Sequence, residues 1–387
     1  METTHTASGP LAGLLILDLS RVLAGPYCTM VLADLGARVI KIENPNGGDD
    51  SRSIGPFVGE ESAYFASINR GKQSLALDLK ADADRALFEA LLAKADVLVE
   101  NYRPGVMARL GYGWAALHKA HPRLIYAAAS GFGQTGPIAH KAAYDMVVQA
   151  MGGIMSVTGH PGGPPTRVGT SIGDITAGLF TTIGILSALH HRAASGQGQF
   201  VDVAMLDGQI AILENAVART VTSGVAPGPL GARHPSITPF AAYQCADAPI
   251  VIAAGNDGLW AALLDALGLT GLKANSKFAS NAARTEAADE VATILEAALA
   301  AAPAAHWLDV LDKAGVPCGP LNDVAQALAH PQVQARNMLI HTELPDGTPL
   351  RAAGNPIKLS AHPDPTTRPR APRLDEHRAQ ILKDLDL

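Results

Sequence analysis

The sequence predicts an open α/β fold built on a parallel sheet. Short apolar runs alternate with segments of helical spacing along the first 130 residues. The first strand–helix–strand group takes only about 30 residues, the size of a βαβ unit. Hydrophobic residues make up 48% and charged residues 17% of 387 residues, enough apolar material to cover both faces of a sheet.

LLILDL (14–19) follows Gly13 and reads as a buried strand. AGPYCTMVLADLGA (24–37) puts Leu, Val and Met at helical spacing, with Gly-Pro near its start and Gly36 as its stop. RVIKIE (38–43) and SLALDL (74–79) are strand-like, DADRALFEALLAKA (82–95) helical, and DVLVEN (96–101) and RLIYAAAS (123–130) strand-like again. YDMVVQAMGGIMSV (144–157) is the one helical segment within a Gly/Pro/Thr-rich stretch, 131–173. Asp174 then opens a long apolar helix running to about Arg192, and QFVDVAM (199–205) is a strand. GVAPGPLGARHPSITP (224–239) is a Gly/Pro-rich break and marks a domain boundary. FAAYQCADAPIVIAAG (240–255) reads as a hairpin, 285–305 as helix, and GVPCGPLND (315–323) as a loop. HPDPTTRPRAP (362–372) is an extended tail before a terminal helix, 374–385.

Thirty Lys and Arg against 36 Asp and Glu give a net charge of −6, and no basic run is present. Nucleic-acid binding is therefore not expected, because phosphate backbones need a concentrated basic face. Cys28, Cys245 and Cys318 are far apart and form no CxxC or Cys/His cluster, so no metal site or disulfide framework is expected. A reducing, cytoplasmic compartment is the expected location. METTHTASGP carries no apolar h-region. The apolar stretch 175–189 is short for a membrane span and reads as a buried helix.

GFGQTG (131–136) matches GxGxxG after a strand, but Pro137 blocks a following helix and no acid lies about 20 residues on. It reads as a turn. Asp174, at the start of its apolar helix, reads either as an N-cap or as a carboxylate nucleophile. The helix N-terminus is expected to keep it ionised. NYRPGVMARLGYG (101–113) follows a strand and offers Asn101, Arg103 and Arg109 where open parallel sheets bind phosphates. Arg70 and Lys72 in INRGKQ, and His234 beside Arg233, read either as surface residues or as ligand contacts.

Eight segments, in order, resemble the class III CoA-transferases, the CaiB/BaiF family: LDLSRVLAGPYCTMVLADLGARVIKIENP, NRGKQSLALDL, VENYRPGVMARLG, GFGQTGP, AYDMVVQAMGG, GDITAGL, GVPCGPLND and APRLDEH. The resemblance covers nearly the whole chain. It implies a Rossmann-like large domain made of residues 1–224 and a return segment, 323–387. It also implies a smaller α+β domain inserted at 225–322, and an interlocked homodimer. It places the nucleophile on Asp174 and the Tyr-acid pair beside it on Tyr144 and Asp145. It places CoA contacts on Val22, Ala24, Lys72, Asn101, Tyr102 and Arg109, and a site-shielding loop on 228–236.

The implied reaction moves CoA from an acyl-CoA donor to a carboxylic acid through an aspartyl-CoA thioester, with CoA as substrate and no permanently bound cofactor or metal. The pattern is nearest to dicarboxylate transferases of the succinyl-CoA:glutarate type. A succinyl-CoA donor and a dicarboxylate acceptor are thus expected, with Arg52, Arg70, Arg233 or His234 near the acid. Racemases of the same family need two opposed bases and carry His where Tyr144 stands here. Tyr, with an ordinary pKa near 10, is a poor base at neutral pH. A non-catalytic CoA-binding protein is the reading from another class, and the aspartate at 174 argues against it.

Overall fold

A computed structural model describes residues 9–387, so most of METTHTASGP lies outside the described residues. The chain divides into two compact units. The first takes the chain up to Met155 with Arg167–Ala226 and His330–Leu387; the second takes Ser156–Thr166 and Pro227–Ala329. Segment 156–166, which the sequence reading left with the first unit, thus belongs to the second.

In the first unit six parallel strands form one sheet: β1 (Leu15–Asp18), β2 (Arg38–Glu43), β3 (Gln73–Ala76), β4 (Val97–Glu100), β5 (Ile125–Ser130) and β6 (Phe200–Ala204). Their spatial order is β3-β2-β1-β4-β5-β6. This is a doubly wound sheet, whose order reverses between β1 and β4 and opens a crevice at their carboxyl ends. The strands alternate between two buried faces. Leu15, Leu17, Ile40 and Ile42 pack with Leu75, Phe88 and Ile381; Ile16 and Val39 pack with Val97, Val99, Ile125 and Ile185. Ile381 lies on the terminal helix Arg378–Asp384, so the end of the chain closes one face.

Seven helices matter for the site: α1 (Ala24–Asp34), α2 (Ala63–Asn69), α3 (Asp82–Leu92), α4 (Asp145–Met151), α5 (Ile172–Ser195), α6 (Met205–Ile212) and α7 (Glu214–Ser223). α5 packs closely on α1. A Cβ at Gly178 would come within 2.7 Å of the Ala24 carbonyl oxygen, so only glycine permits that approach. The segment expected as one helix at 144–157 is broken at Gly152–Gly153, where Gly153 has φ 85°. α5 was expected to be buried, but it has 24 residues and leaves one stripe open, with Leu179 and Ile183 42% and 57% exposed. It is long and apolar enough to cross a membrane, although much of its surface is packed inside the fold. At 131–136 the backbone turns: Gly133 and Gly136 have positive φ, and no helix follows.

The second unit carries a three-stranded antiparallel sheet, β7 (Phe240–Gln244), β8 (Pro249–Ala253) and β9 (Cys318–Pro320), with β8 central. β7 and β8 form the expected hairpin. β9 was read as loop, because Gly319 and Pro320 are poor strand formers; here it is a short edge strand, where Pro is tolerated. Ile250, Ile252, Trp260, Leu263, Leu295 and Trp307 share the core. A fully buried Arg284 donates to the Thr238 and Phe278 carbonyls and to Asp257 at 2.8–3.0 Å, which satisfies its charge in that core. The three cysteines are free thiols.

Candidate active site

The site is built where α5 begins. Asp174 is the third residue of α5 and not its N-cap; that position belongs to Ser171, which makes no capping bond. Asp145 takes the capping role from outside the helix. Its Oδ1 accepts the Gly173 N–H at 2.8 Å, and its Oδ2 accepts Gln149 Nε2 at 2.7 Å. Gln149 also accepts the Val168 N–H at 2.8 Å, tying the irregular segment leading into α5 to α4. A Cβ at Gly173 would lie 3.0 Å from Asp145 Oδ1, so glycine there permits the bond.

One consequence corrects the expectation of an ionised Asp174. Among the described residues its carboxyl accepts no hydrogen bond, because the amide that would serve it is given to Asp145. Burial first, and the Asp145 charge second, push Asp174 up to about 7. The helix dipole favours the anion, but in the first turn it is worth only about 0.3–1 kcal/mol and does not offset desolvation here. The site thus holds an acid poised between its two forms near neutrality.

The wall beside it is apolar. Val22, Tyr27, Tyr64 and Ile175 pack against Leu23, Met30 and Ile68. Tyr64, on α2, was not singled out from the sequence. Burial and the charges of Asp174 and Asp49 push its hydroxyl up to about 12, so it stays a neutral donor beside the acid. Nothing in the local sequence distinguishes it from an ordinary helix-face tyrosine. Tyr144 precedes α4 and is 76% exposed in the single chain, whereas the adjacent Asp145 is buried.

Ala24 and Lys72 are buried, Val22, Asn101 and Tyr102 are half-buried, and Arg109 is exposed. Asn101 grips the loop after β1: the Arg21 N–H donates to its Oδ1 at 2.8 Å, and its Nδ2 donates to the Arg21 carbonyl at 2.7 Å. Arg21 lies over the Tyr102 ring, 5.4 Å from its centroid. Glu100, ending β4, accepts the Tyr102 N–H at 2.6 Å and the Tyr126 hydroxyl at 3.1 Å, and burial pushes it up to about 7.

Lys72 does not present its ammonium to solvent. It donates to Asp18 Oδ2 at 2.9 Å, to the Pro26 carbonyl at 3.0 Å and to Asn69 Oδ1 at 2.8 Å. Burial lowers it to about 8. Lys41, registered opposite Asp18 across β1 and β2, pairs with Asp49 at 2.8 Å. Charged residues at alternate positions of an otherwise apolar strand, Lys41 and Glu43 in RVIKIE, are the signal by which this buried frame is legible in sequence.

The candidate acid-reading arginines are already paired. Arg52 forks onto Glu43 at 2.8 and 2.7 Å and stacks over Phe65, and Arg70 forks onto Asp34. In the second unit Arg233 pairs with Asp289 at 2.6 Å; His234 stacks on Phe240 and accepts the Ser236 N–H on Nδ1. Among the described residues no acid pairs with Arg103 or Arg109, and no group of three His, Cys, Asp or Glu is placed to hold a metal.

The family model described as CoA-transferase family III matches residues 11–378. The chain is 52% identical to the acetyl-CoA:oxalate CoA-transferase of Acetobacter aceti, over 99% of this chain and 98% of that one. It is 41% identical to the succinate–glutarate CoA-transferase of Agrobacterium fabrum, over 97% and 96%. A solved CaiB/BaiF family protein from Brucella suis superposes with a TM-score of 0.84 at 39% identity, covering 98% of this chain and all of that one. The family model over 11–378 and these full-length relatives show that the chain belongs to CoA-transferase family III and is a CoA-transferase.

Proposed function

We propose that this enzyme moves CoA from a short acyl-CoA to a small dicarboxylate, with Asp174 as the nucleophile that carries the intermediate. The observation that bears most weight is the isolation of the Asp174 carboxyl: half-buried, without a hydrogen-bond donor, and beside Asp145. A carboxylate stripped of donors is a stronger nucleophile than a solvated one. Asp174 attacks the thioester carbonyl; the C–S bond breaks, leaving a mixed anhydride and CoA thiolate. The thiolate attacks the aspartyl carbonyl and expels the donor acid, forming the aspartyl-CoA thioester. The acceptor carboxylate attacks that thioester, and the released thiolate attacks the acceptor acyl group and frees Asp174. Bonds of similar energy are exchanged at each step.

Asp145 acts in this reading as the group that fixes the start of α5 and tunes Asp174. Tyr64 and Tyr144 are candidate hydroxyl donors to developing oxyanions, Tyr64 from the apolar wall. Asn101, Tyr102, Val22 and Arg109 are the proposed CoA contacts, at the crevice where doubly wound sheets bind ligands.

The relatives support the acceptor class: one is named for oxalate and another for succinate and glutarate, all dicarboxylates. The oxalate relative is named for acetyl-CoA as well, so acetyl-CoA and the expected succinyl-CoA both belong in the test. Because Arg52 and Arg70 are spent on Glu43 and Asp34, a distal carboxylate is proposed to be read by other groups of the site.

A second copy of the chain is the proposed partner, in the interlocked form. Leu179, Phe180 and Ile183 on α5 and Val217 and Val221 on α7 expose apolar surface in the single chain, as faces awaiting a partner do.

With acetyl- or succinyl-CoA and a panel of oxalate, succinate, glutarate and monoacids, labelled CoA should pass to dicarboxylates, and Asp174→Ala should lower kcat by at least about 10³-fold. Transfer only to monoacids, or an active Asp174→Ala variant, contradicts the proposal. The acid limb of kcat/KM should lie at about 7, where Asp174 ionises, making pH 6 roughly tenfold slower than the plateau. Asp145→Asn removes the neighbouring charge and should move that limb to lower pH; an unmoved limb means that Asp145 does not tune the nucleophile. Sedimentation equilibrium should give the mass of two chains, and a single-chain mass excludes the dimer.

A further inference from the structure

The segment GGDDSR (47–52) has no role in the reaction as described, yet it reaches under the loop proposed to meet CoA. Gly48 has φ 73°, and a Cβ there would lie 2.8 Å from Glu43 Oε2. This tight turn brings Asp49 back over the end of β2, where its N–H donates to Glu43 Oε2 at 3.0 Å. The Asp49 side chain is buried. One carboxylate oxygen pairs with Lys41 Nζ at 2.8 Å. The other accepts the Ser51 N–H and hydroxyl and, at 3.0 Å, the N–H of Val22.

Val22 is the point of interest. Its φ is 66°, in the left-handed region. A β-branched residue there is a true outlier, persisting only where its surroundings over-determine it. Two grips bracket it. Asn101 holds both polar groups of the Arg21 backbone, and Asp49 holds the Val22 N–H. Beneath them Lys41 donates to the Ser20 carbonyl at 2.7 Å, while Asp18 accepts the Ser20 N–H at 2.9 Å. The conformation delivers Val22 and Leu23 against Ile175, the residue after Asp174.

We infer that Asp49, charged and anchored by Lys41, is a positioning residue: it holds Val22 in its left-handed conformation and so pre-forms the loop that receives CoA beside Asp174. The inference rests on the proposed function in taking Val22 as a CoA contact. Asp49 itself touches neither substrate nor the reacting atoms. Its partner is a backbone amide, so its effect depends on Val22 being costly to hold. Glycine at 22 adopts the same φ without penalty and should make Asp49 dispensable for binding.

The test is a double-mutant cycle on the full chain, with coenzyme A as the probe and calorimetric Kd as the readout. In the Val22 background, Asp49→Ala should weaken coenzyme A by at least about tenfold. Asp49→Asn keeps an acceptor but exchanges a carboxylate for a neutral amide, and should weaken it about three- to tenfold. In the Val22→Gly background both losses should fall below about twofold. A general structural role predicts equal losses in the two backgrounds, and that result overturns the inference, as does an Asp49→Asn variant within twofold of wild type. Should Asp49→Ala fail to fold, the Asp49→Asn pair decides alone on the same criterion. Wild-type protein that binds no coenzyme A defeats the functional reading and this inference together. Binding by wild type with equal losses defeats only the inference.

Discussion

Two carboxyl groups compete for the N-terminal end of α5, and Asp145 takes the hydrogen bond. That competition organises the rest of the site. Gly173 gives its amide to Asp145, an approach that the absence of a Cβ eases. Gln149 braces Asp145 from one helical turn away and ties in the approach segment through Val168. Asp174 is left with desolvation and a neighbouring negative charge, and both disfavour its ionised form. A carboxyl left without donors suits the nucleophile proposed for this reaction, whereas a fully capped carboxylate would attack a thioester more slowly.

Beneath that pair lies a different electrostatic design. Asp18 pairs with Lys72, Asp49 with Lys41 and Glu43 with Arg52, a buried set of opposite charges around β1 and β2. Burial opposes the charge on each acid, but the Lys72 and Lys41 ammoniums hold Asp18 well below its ordinary value, and Lys41 does the same for Asp49. A buried ion pair is weak evidence for stability, since hydrophobic replacements of similar volume often serve as well. What these pairs do specify is conformation. Their remaining hydrogen-bonding capacity is spent on backbone atoms of the loop after β1, which then carries a valine in a backbone region that valine avoids.

The strands were legible in sequence because buried parallel strands read as continuous apolar runs, and RVIKIE matches its strand residue for residue. Asp174 was legible through GDITAGL, and its helix through its apolar length. Three features were hidden. β9 has poor strand propensity and exists through pairing with β8. The state of Asp174 depends on Asp145, 29 residues away along the chain, so an acid at a helix start looked ionised. The engagement of Arg52, Arg70 and Lys72 by Glu43, Asp34 and Asp18 is likewise tertiary: an isolated basic residue in a loop looks free until the fold supplies its acid.

The central claim is that the Asp174 carboxyl is converted to an aspartyl-CoA thioester during turnover. Its most direct test is mass spectrometry of the peptide containing Asp174, after mixing with acyl-CoA in the absence of acceptor and quenching with borohydride. A thioester at Asp174 should be reduced to the corresponding alcohol, a loss of about 14 Da at that side chain. An unaltered Asp174 in a preparation that transfers CoA under the same conditions would contradict the account.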